Sequence, residues 1–202
     1  LAILRLHAQN AQAASTDAER QKALGFLIGG VDRLTRVVNQ LLTLARVEPR
    51  LGQRATTRVD LGEVVTDVLA DLTPWILDRG LEPSLDLSEG DHGLMIDAGA
   101  LGIALQNLVS NAVEHSPPGG RITVSLRRLA TCFELVVEDE GQGIDDADLA
   151  RVFERFYSRN SPNGAGLGLS IVATIVERLG GQVRLENRAT GGLAAIVSLP
   201  LQ

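Results

Sequence analysis

The sequence predicts an α+β protein: a two-layer α/β sandwich, helices on one face of a mixed sheet, preceded by a helical hairpin. Three observations carry this expectation. Residues 1–47 repeat apolar positions at helical spacing on either side of a polar break, Ser15-Thr16-Asp17. From about residue 58, short alternating strands and capped helices are interleaved. Hydrophobic residues make up 45% of the 202 but aromatics only 3%, so a core must be built from Leu, Val, Ile and Ala.

The first helix is expected from Leu1 to about Ala14, with Leu1, Leu4 and Ala8 on one face. The polar break caps a second helix to about Val47. Its stripe (Leu24, Leu27, Ile28, Val31, Leu34, Val38, Leu41, Leu42, Ala45) alternates threes and fours, the pattern of a bundle seam. A lone hairpin cannot bury that stripe. It either packs on the rest of the chain or, as we expect, pairs with a second copy, giving a homodimer through a four-helix bundle. Pro49 ends the helix, which sets expected boundaries of 1–48 for the hairpin, 49–57 for a linker and 58–202 for the second domain.

In that domain Asp60 reads as the N-cap of a helix to about Arg79. Strands near 83–87 and 94–96 follow, then a helix capped by Asp97 and ending near His115. The turn Pro117-Pro118-Gly119-Gly120 leads into alternating strands at 121–127 and 132–138. Residues 141–163 show little pattern beyond a short helical run after Asp145. A helix at 167–179 and strands at 182–186 and 194–199 close the chain.

Composition excludes several classes of function. A formal net charge of −6 argues against a nucleic-acid binder, which usually carries a basic face. Cys132 is the only cysteine, so neither an internal disulfide nor a Cys-based zinc site is possible, and it reads as a plain core thiol. No stretch approaches the roughly 20 apolar residues of a membrane span, so no membrane contact by this chain is expected.

Three elements converge on one ligand chemistry. Asn107 and Asn111, four apart in a helix otherwise apolar at Leu101, Ile103, Leu105 and Leu108, share a face. Buried amides need partners, and a magnesium ion carrying phosphates would accept their hard oxygens; read alone, the pair fits two surface amides equally well. Asp139-Glu140-Gly141-Gln142-Gly143 places a carboxylate at a strand end, suited to accept from an exocyclic amine beside a tight glycine turn, although an ordinary acidic turn has the same appearance. Gly164-Ala165-Gly166-Leu167-Gly168 opens a helix, where glycines admit phosphate oxygens to free N–H groups, or serve as a hinge. It is neither a Walker loop nor a dinucleotide fingerprint, since no Lys-Ser/Thr follows and no strand directly precedes it.

In order and spacing these motifs, with Phe153-Glu154-Arg155-Phe156-Tyr157 between the last two, resemble the nucleotide-binding domain of sensor histidine kinases, with its GHKL (Bergerat) ATP-binding fold. The resemblance covers nearly the whole chain, because LAILRLHAQNA and DRLTRVVNQLLTLARVE look like the dimerisation hairpin of the class with an HExRTP phosphoacceptor run. It implies ATP and Mg²⁺ as cofactors, with Asn111 and Asn107 as metal ligands. By the same resemblance Asp139 would take the adenine amine, Gly141 and Gly143 would shape that end, and Gly164, Gly166, Leu167 and Gly168 would border the phosphates. Residues 144–163, beginning at Ile144, would form a lid. Phe156 would line the site and, with Phe153, anchor the lid by burial, and Arg155 or Arg159 would reach phosphate. The acceptor histidine would lie immediately upstream of Leu1, in a membrane-anchored parent whose cytoplasmic part this is, and a response-regulator receiver domain would take the phosphoryl group onward.

The chain departs from that pattern in three respects. Glu114 stands where many relatives have Lys or Arg, and Ser158 where many have Arg. None of the three histidines reads as the acceptor: after His7 come Gln9-Asn10 rather than an acid-base pair, His92 lies in an Asp-His-Gly turn expected to be exposed, and His115 falls where the family often has an adenine-side aromatic. No catalytic side chain is therefore assigned within the chain. Two rival functions remain: a non-catalytic nucleotide-binding regulator, and an ATP hydrolase. The second needs a glutamate base where this chain has Asn107, and an amide cannot take the proton.

Overall fold

The computed structural model describes residues 2–31, 56–157 and 166–201. The expected continuation of the second helix, its stripe from Leu34 to Ala45, most of the linker, Ser158, Arg159 and Gly164 lie outside the described residues.

The hairpin opens with α1 (Ala2–Ala13) and continues in α2, described over residues 17–31. The break between them is a capping box. Thr16 Oγ1 accepts from the Glu19 N–H at 3.2 Å, and the Glu19 carboxylate reaches back to the N–H groups of Ser15 and Thr16 at 3.1 and 3.2 Å. The His7 ring stacks on Phe26 at 5.2 Å, and Leu4 lies against Gly30, so a larger residue there would require the Leu4 side chain to shift. Ile3, Leu6, Leu24, Phe26, Ile28 and Val31 are all exposed.

From Thr57 onward the chain is the expected sandwich. Strand β1 (Thr57–Asp60) pairs antiparallel with β3 (Gly93–Ile96) as a separate two-stranded ribbon. The main sheet contains β2 (Glu82–Leu87), β4 (Arg121–Arg128), β5 (Cys132–Glu138), β6 (Gln182–Asn187) and β7 (Leu193–Pro200), in the order β2-β4-β5-β7-β6. Only β2 and β4 run parallel. Helices α3 (Leu61–Asp78), α4 (Ala98–His115) and α6 (Gly168–Arg178) cover one face, and α5 (Asp146–Leu149) is a single turn between β5 and α6.

Local chemistry explains these boundaries. Asp60 caps α3 by accepting from Gly62 and Glu63, and Asp97 caps α4 by accepting from Ala100. Helix α3 ends at a left-handed Gly80, with Gly80 N–H on Leu77 and Leu81 N–H on Ile76, a geometry glycine adopts without steric penalty. The strands alternate cleanly: Phe133, Leu135 and Val137 of β5 face the helices beside Val124 and Leu126 of β4 and Ala195, Val197 and Leu199 of β7. Each of the larger of these side chains, taken out of water, contributes about 1.5–3 kcal/mol. A smaller cluster of Ala104, Leu167, Ile171 and Ile175 joins α4 to α6.

The structure overturns three expectations here. Cys132 is half-buried and belongs to the strand parity opposite Phe133, Leu135 and Val137, so it is no core thiol. His92 is buried at 7% exposure: its carbonyl accepts from Leu61 N–H, and its ring sits within 3.3 Å of Ser88 Oγ and edge-on to Phe133. Thr57, expected as linker, already pairs with Ile96.

Candidate functional site

The acidic motif lies where the end of α4 meets the end of β5. A Cβ on Gly141 would stand 2.6 Å from the His115 carbonyl oxygen, so the acidic turn rests directly on the last residue of α4. Asp139, just past β5, is 6% exposed. Its Oδ1 accepts from Gly141 N–H at 2.8 Å and Leu193 N–H at 3.1 Å, while its own N–H donates to the Leu193 carbonyl at 2.9 Å. Burial raises the Asp139 pKa above the ordinary 3.8; the two backbone N–H groups, then His115 and Arg188, oppose that rise. Oδ2 has no hydrogen bond among the described residues and is not sealed from solvent.

On α4, Asn107 and Asn111 are half-buried one turn apart. Asn107 Nδ2 donates to the Ile103 carbonyl at 2.8 Å, which commits the nitrogen to the helix and leaves Oδ1 as the outward atom. Glu114, three residues beyond Asn111, is also half-buried, and His115 is exposed beside Asp139. Among the described residues no three His, Cys, Asp or Glu side chains are arranged to hold a metal, so a cation here would rely on amide oxygens and on its ligand's own oxygens.

The segment after the acidic turn is tied at both ends. Gly143 takes a left-handed φ of 73°, and Ile144 next to it is held by Asn187, whose Oδ1 accepts from Ile144 N–H at 2.8 Å and whose Nδ2 donates to Ile144 O at 2.7 Å. At the far end Tyr157 Oη donates to the buried Asp148 at 2.6 Å, with Arg151 4.5 Å over the tyrosine ring. Phe156 N–H donates to the Gly166 carbonyl at 2.9 Å, and a Cβ on Gly166 would meet the Phe156 carbonyl carbon at 2.6 Å.

His115, Asp139 and Gly141 thus lie against one another, with Gly143 and Ile144 next along the chain, while Asn111 and Asn107 sit one and two turns back along α4. Two expectations change. Phe156 is 70% exposed with a positive φ of 65°, so it does not anchor the segment by burial; the Tyr157–Asp148 bond does that, with Phe153 half-buried. Leu167 is 1% exposed inside the α4–α6 cluster, so its side chain belongs to the core. Arg155 is exposed on the same turn as Phe156. Sequence reasoning missed Arg188, which donates to the Asp139 carbonyl at 2.7 Å, along with Asn187 and the Leu193 backbone. The adjacent Gly191 and Gly192, both at φ 91°, were the available signal of close backbone approach at that turn; nothing marked Asn187.

Residues 96–202 match the model of the histidine kinase-, DNA gyrase B-, and HSP90-like ATPase family, and the chain belongs to that family. Within it, the chain resembles sensor histidine kinases. It is 34% identical over 201 residues to the sensor protein QseC of Salmonella typhimurium (strain LT2), covering 98% of this chain and 44% of that protein. A solved mycobacterial sensor histidine kinase MprB is 35% identical with a TM-score of 0.64, over 72% of this chain and 97% of that one. Full-length ShkA in complex with AMPPNP is 25% identical with a TM-score of 0.73, over 98% of this chain and 42% of that one. The chain therefore spans less than half the length of QseC. Among the described residues no helix is long and apolar enough to cross a membrane.

Proposed function

We propose that this chain is the kinase core of a two-component sensor histidine kinase that binds Mg-ATP between α4, the β5 end and the segment from Ile144 to Gly166. The observation that carries the reading is Asp139: a buried carboxylate with one oxygen fixed by two backbone N–H groups and the other left open. Such an atom suits a directional donor such as the adenine amino group. The ShkA complex, a relative holding an ATP analogue, supports the same ligand class.

The chain's own residues fit the nucleotide. Asp139 Oδ2 accepts from the base, with Gly141, Gly143 and the exposed His115 forming that end. Asn111 and Asn107 present amide oxygens to Mg²⁺, the Asn107 nitrogen being already spent on Ile103. Gly164, Gly166 and Gly168 border the phosphates by backbone, while Arg155 and Arg159 offset negative charge. When bound, ATP supplies a transferable γ-phosphoryl group. In the intact protein its acceptor would be a histidine upstream of Leu1, and the next recipient an aspartate on a response-regulator receiver domain. Residues 1–48 would dimerise, 49–56 link and 57–202 catalyse, on the cytoplasmic side of a membrane-anchored parent.

Hydrolysis is disfavoured, since Asn107 bonded to Ile103 offers no base. A non-catalytic regulator is favoured by one feature, the half-buried Glu114 near Asn111. Calorimetric titration with Mg-ADP and a non-hydrolysable ATP analogue tests the reading. One-site binding lost in Asp139→Ala supports it, and absence of binding by the folded wild-type chain sinks it.

A further inference from the structure

We propose that Asn187 is a positioning residue for this site, its carboxamide holding the Ile144 backbone and thereby the adenine-side edge in register with Asp139. The inference rests on the nucleotide reading and extends it to a residue outside every motif.

The geometry is specific. Asn187 ends β6 and pairs across the ladder with Leu193. Leu193 in turn exchanges backbone hydrogen bonds with Asp139 and its side chain. One rung of the sheet thus holds both ends of the stretch from Asp139 to Ile144, by Leu193 backbone at one end and Asn187 side chain at the other. The amide meets Ile144 as a neighbouring strand's peptide would, accepting from its N–H at 2.8 Å and donating to its C=O at 2.7 Å. Asn187 is exposed, so burial does not force this arrangement; the two bonds must offset the lost rotamer freedom themselves.

Gly143 completes the case. Its φ is 73°, and a Cβ there would stand 2.5 Å from Asn187 Oδ1. The second glycine of the acidic motif is therefore required by Asn187 as well as by the turn. Few side chains could replace the amide. Serine is too short to span both backbone atoms, aspartate lacks the donor, and glutamine is one methylene too long for the space above Gly143. With the amide removed, the edge beside Asp139 loosens, and the nucleotide must order it on binding.

The test uses the full chain with Asn187→Ala and Asn187→Asp, read by Mg-ADP calorimetry and by hydrogen exchange at the Ile144 amide between pH 5 and 8. Asn187→Ala is expected to raise the Kd for Mg-ADP roughly tenfold, about the worth of one or two exposed hydrogen bonds, and to speed Ile144 exchange. Asn187→Asp is expected to bind no better than the alanine variant at pH 8, because its carboxylate faces the Ile144 carbonyl. A general structural role would lower the melting temperature and speed exchange along β6 and β7 as well, whereas the positioning role speeds it at Ile144 and its neighbours. Wild-type affinity in folded Asn187→Ala, or Ile144 exchange no faster than in wild type, overturns this proposal alone. No binding by folded wild type overturns the nucleotide reading and this proposal together.

Discussion

On the proposed reading, Asp139 binds the nucleotide at the expense of the fold. Burial lifts its pKa above 3.8, so the folded state holds the proton more tightly than the unfolded chain does. The stability linked to this group is therefore fully present below pH 3.8 and is lost as pH rises through the elevated folded value; at neutral pH the ionised side chain is a net cost. Asp139→Asn keeps an Oδ1 for Gly141 and Leu193 but turns an NH₂ toward the ligand. We expect that variant to melt no lower than wild type at pH 7, with its relative advantage shrinking as the solution is acidified. Its Mg-ADP affinity should fall by about a hundredfold, by calorimetry, since a charge-assisted bond becomes a donor facing a donor. In the wild type, affinity should decline on acidification at a higher pH than an exposed carboxylate would dictate. The aspartate itself was legible from its place after an alternating strand. His92 was not, because its Asp-His-Gly setting is locally a turn and only the distant α3 and Phe133 bury it.

Helices and strands were legible where one side chain in two or four is forced inward. The alternation of β5 and the aspartate caps of α3 and α4 match the expected positions almost residue for residue. Strand β1 escaped notice because it is four residues long with one half-buried side chain, and its partner β3 lies more than thirty residues away. The β6–β7 turn holds Asp139 through groups that carry no sequence pattern, namely a backbone rung and the Arg188 guanidinium. Gly192, left-handed at φ 91° and pressed against the Asp139 carbonyl, is the sensitive point of that turn. Gly192→Ala should cost on the order of 3 kcal/mol in urea unfolding, combining φ strain with a backbone clash. Tyr157→Phe should act locally instead. Without the 2.6 Å bond to Asp148, limited proteolysis between residues 150 and 166 should quicken several-fold while the cooperative unfolding midpoint stays nearly fixed.

For the molecule as a whole, the two regions differ in how completely each buries itself. The sandwich encloses a main core from Leu61 to Leu199 with a smaller cluster beside it, whereas the described hairpin exposes Ile3, Leu6, Leu24, Phe26, Ile28 and Val31. A surface that apolar needs a cover, and the heptad-like spacing of α2 suits a second copy. Sedimentation at micromolar concentration should therefore give the mass of two chains. Ile28→Glu should shift it toward one while leaving one-site nucleotide affinity within about twofold. The stripe was legible because its period is set by the helix itself; which surface covers it is a property of two molecules, and no single chain encodes that plainly.

The bond from Phe156 to Gly166 has a further consequence. It fixes the separation of two points that nine residues of sequence join, and both points belong to the described scaffold. Lengthening the chain between two such fixed points adds only about 0.6 kcal/mol of closure entropy for each doubling. Insertions between Phe156 and Gly166 should therefore leave β5 and α6 standing, so the number of residues here can vary widely on one unaltered foundation.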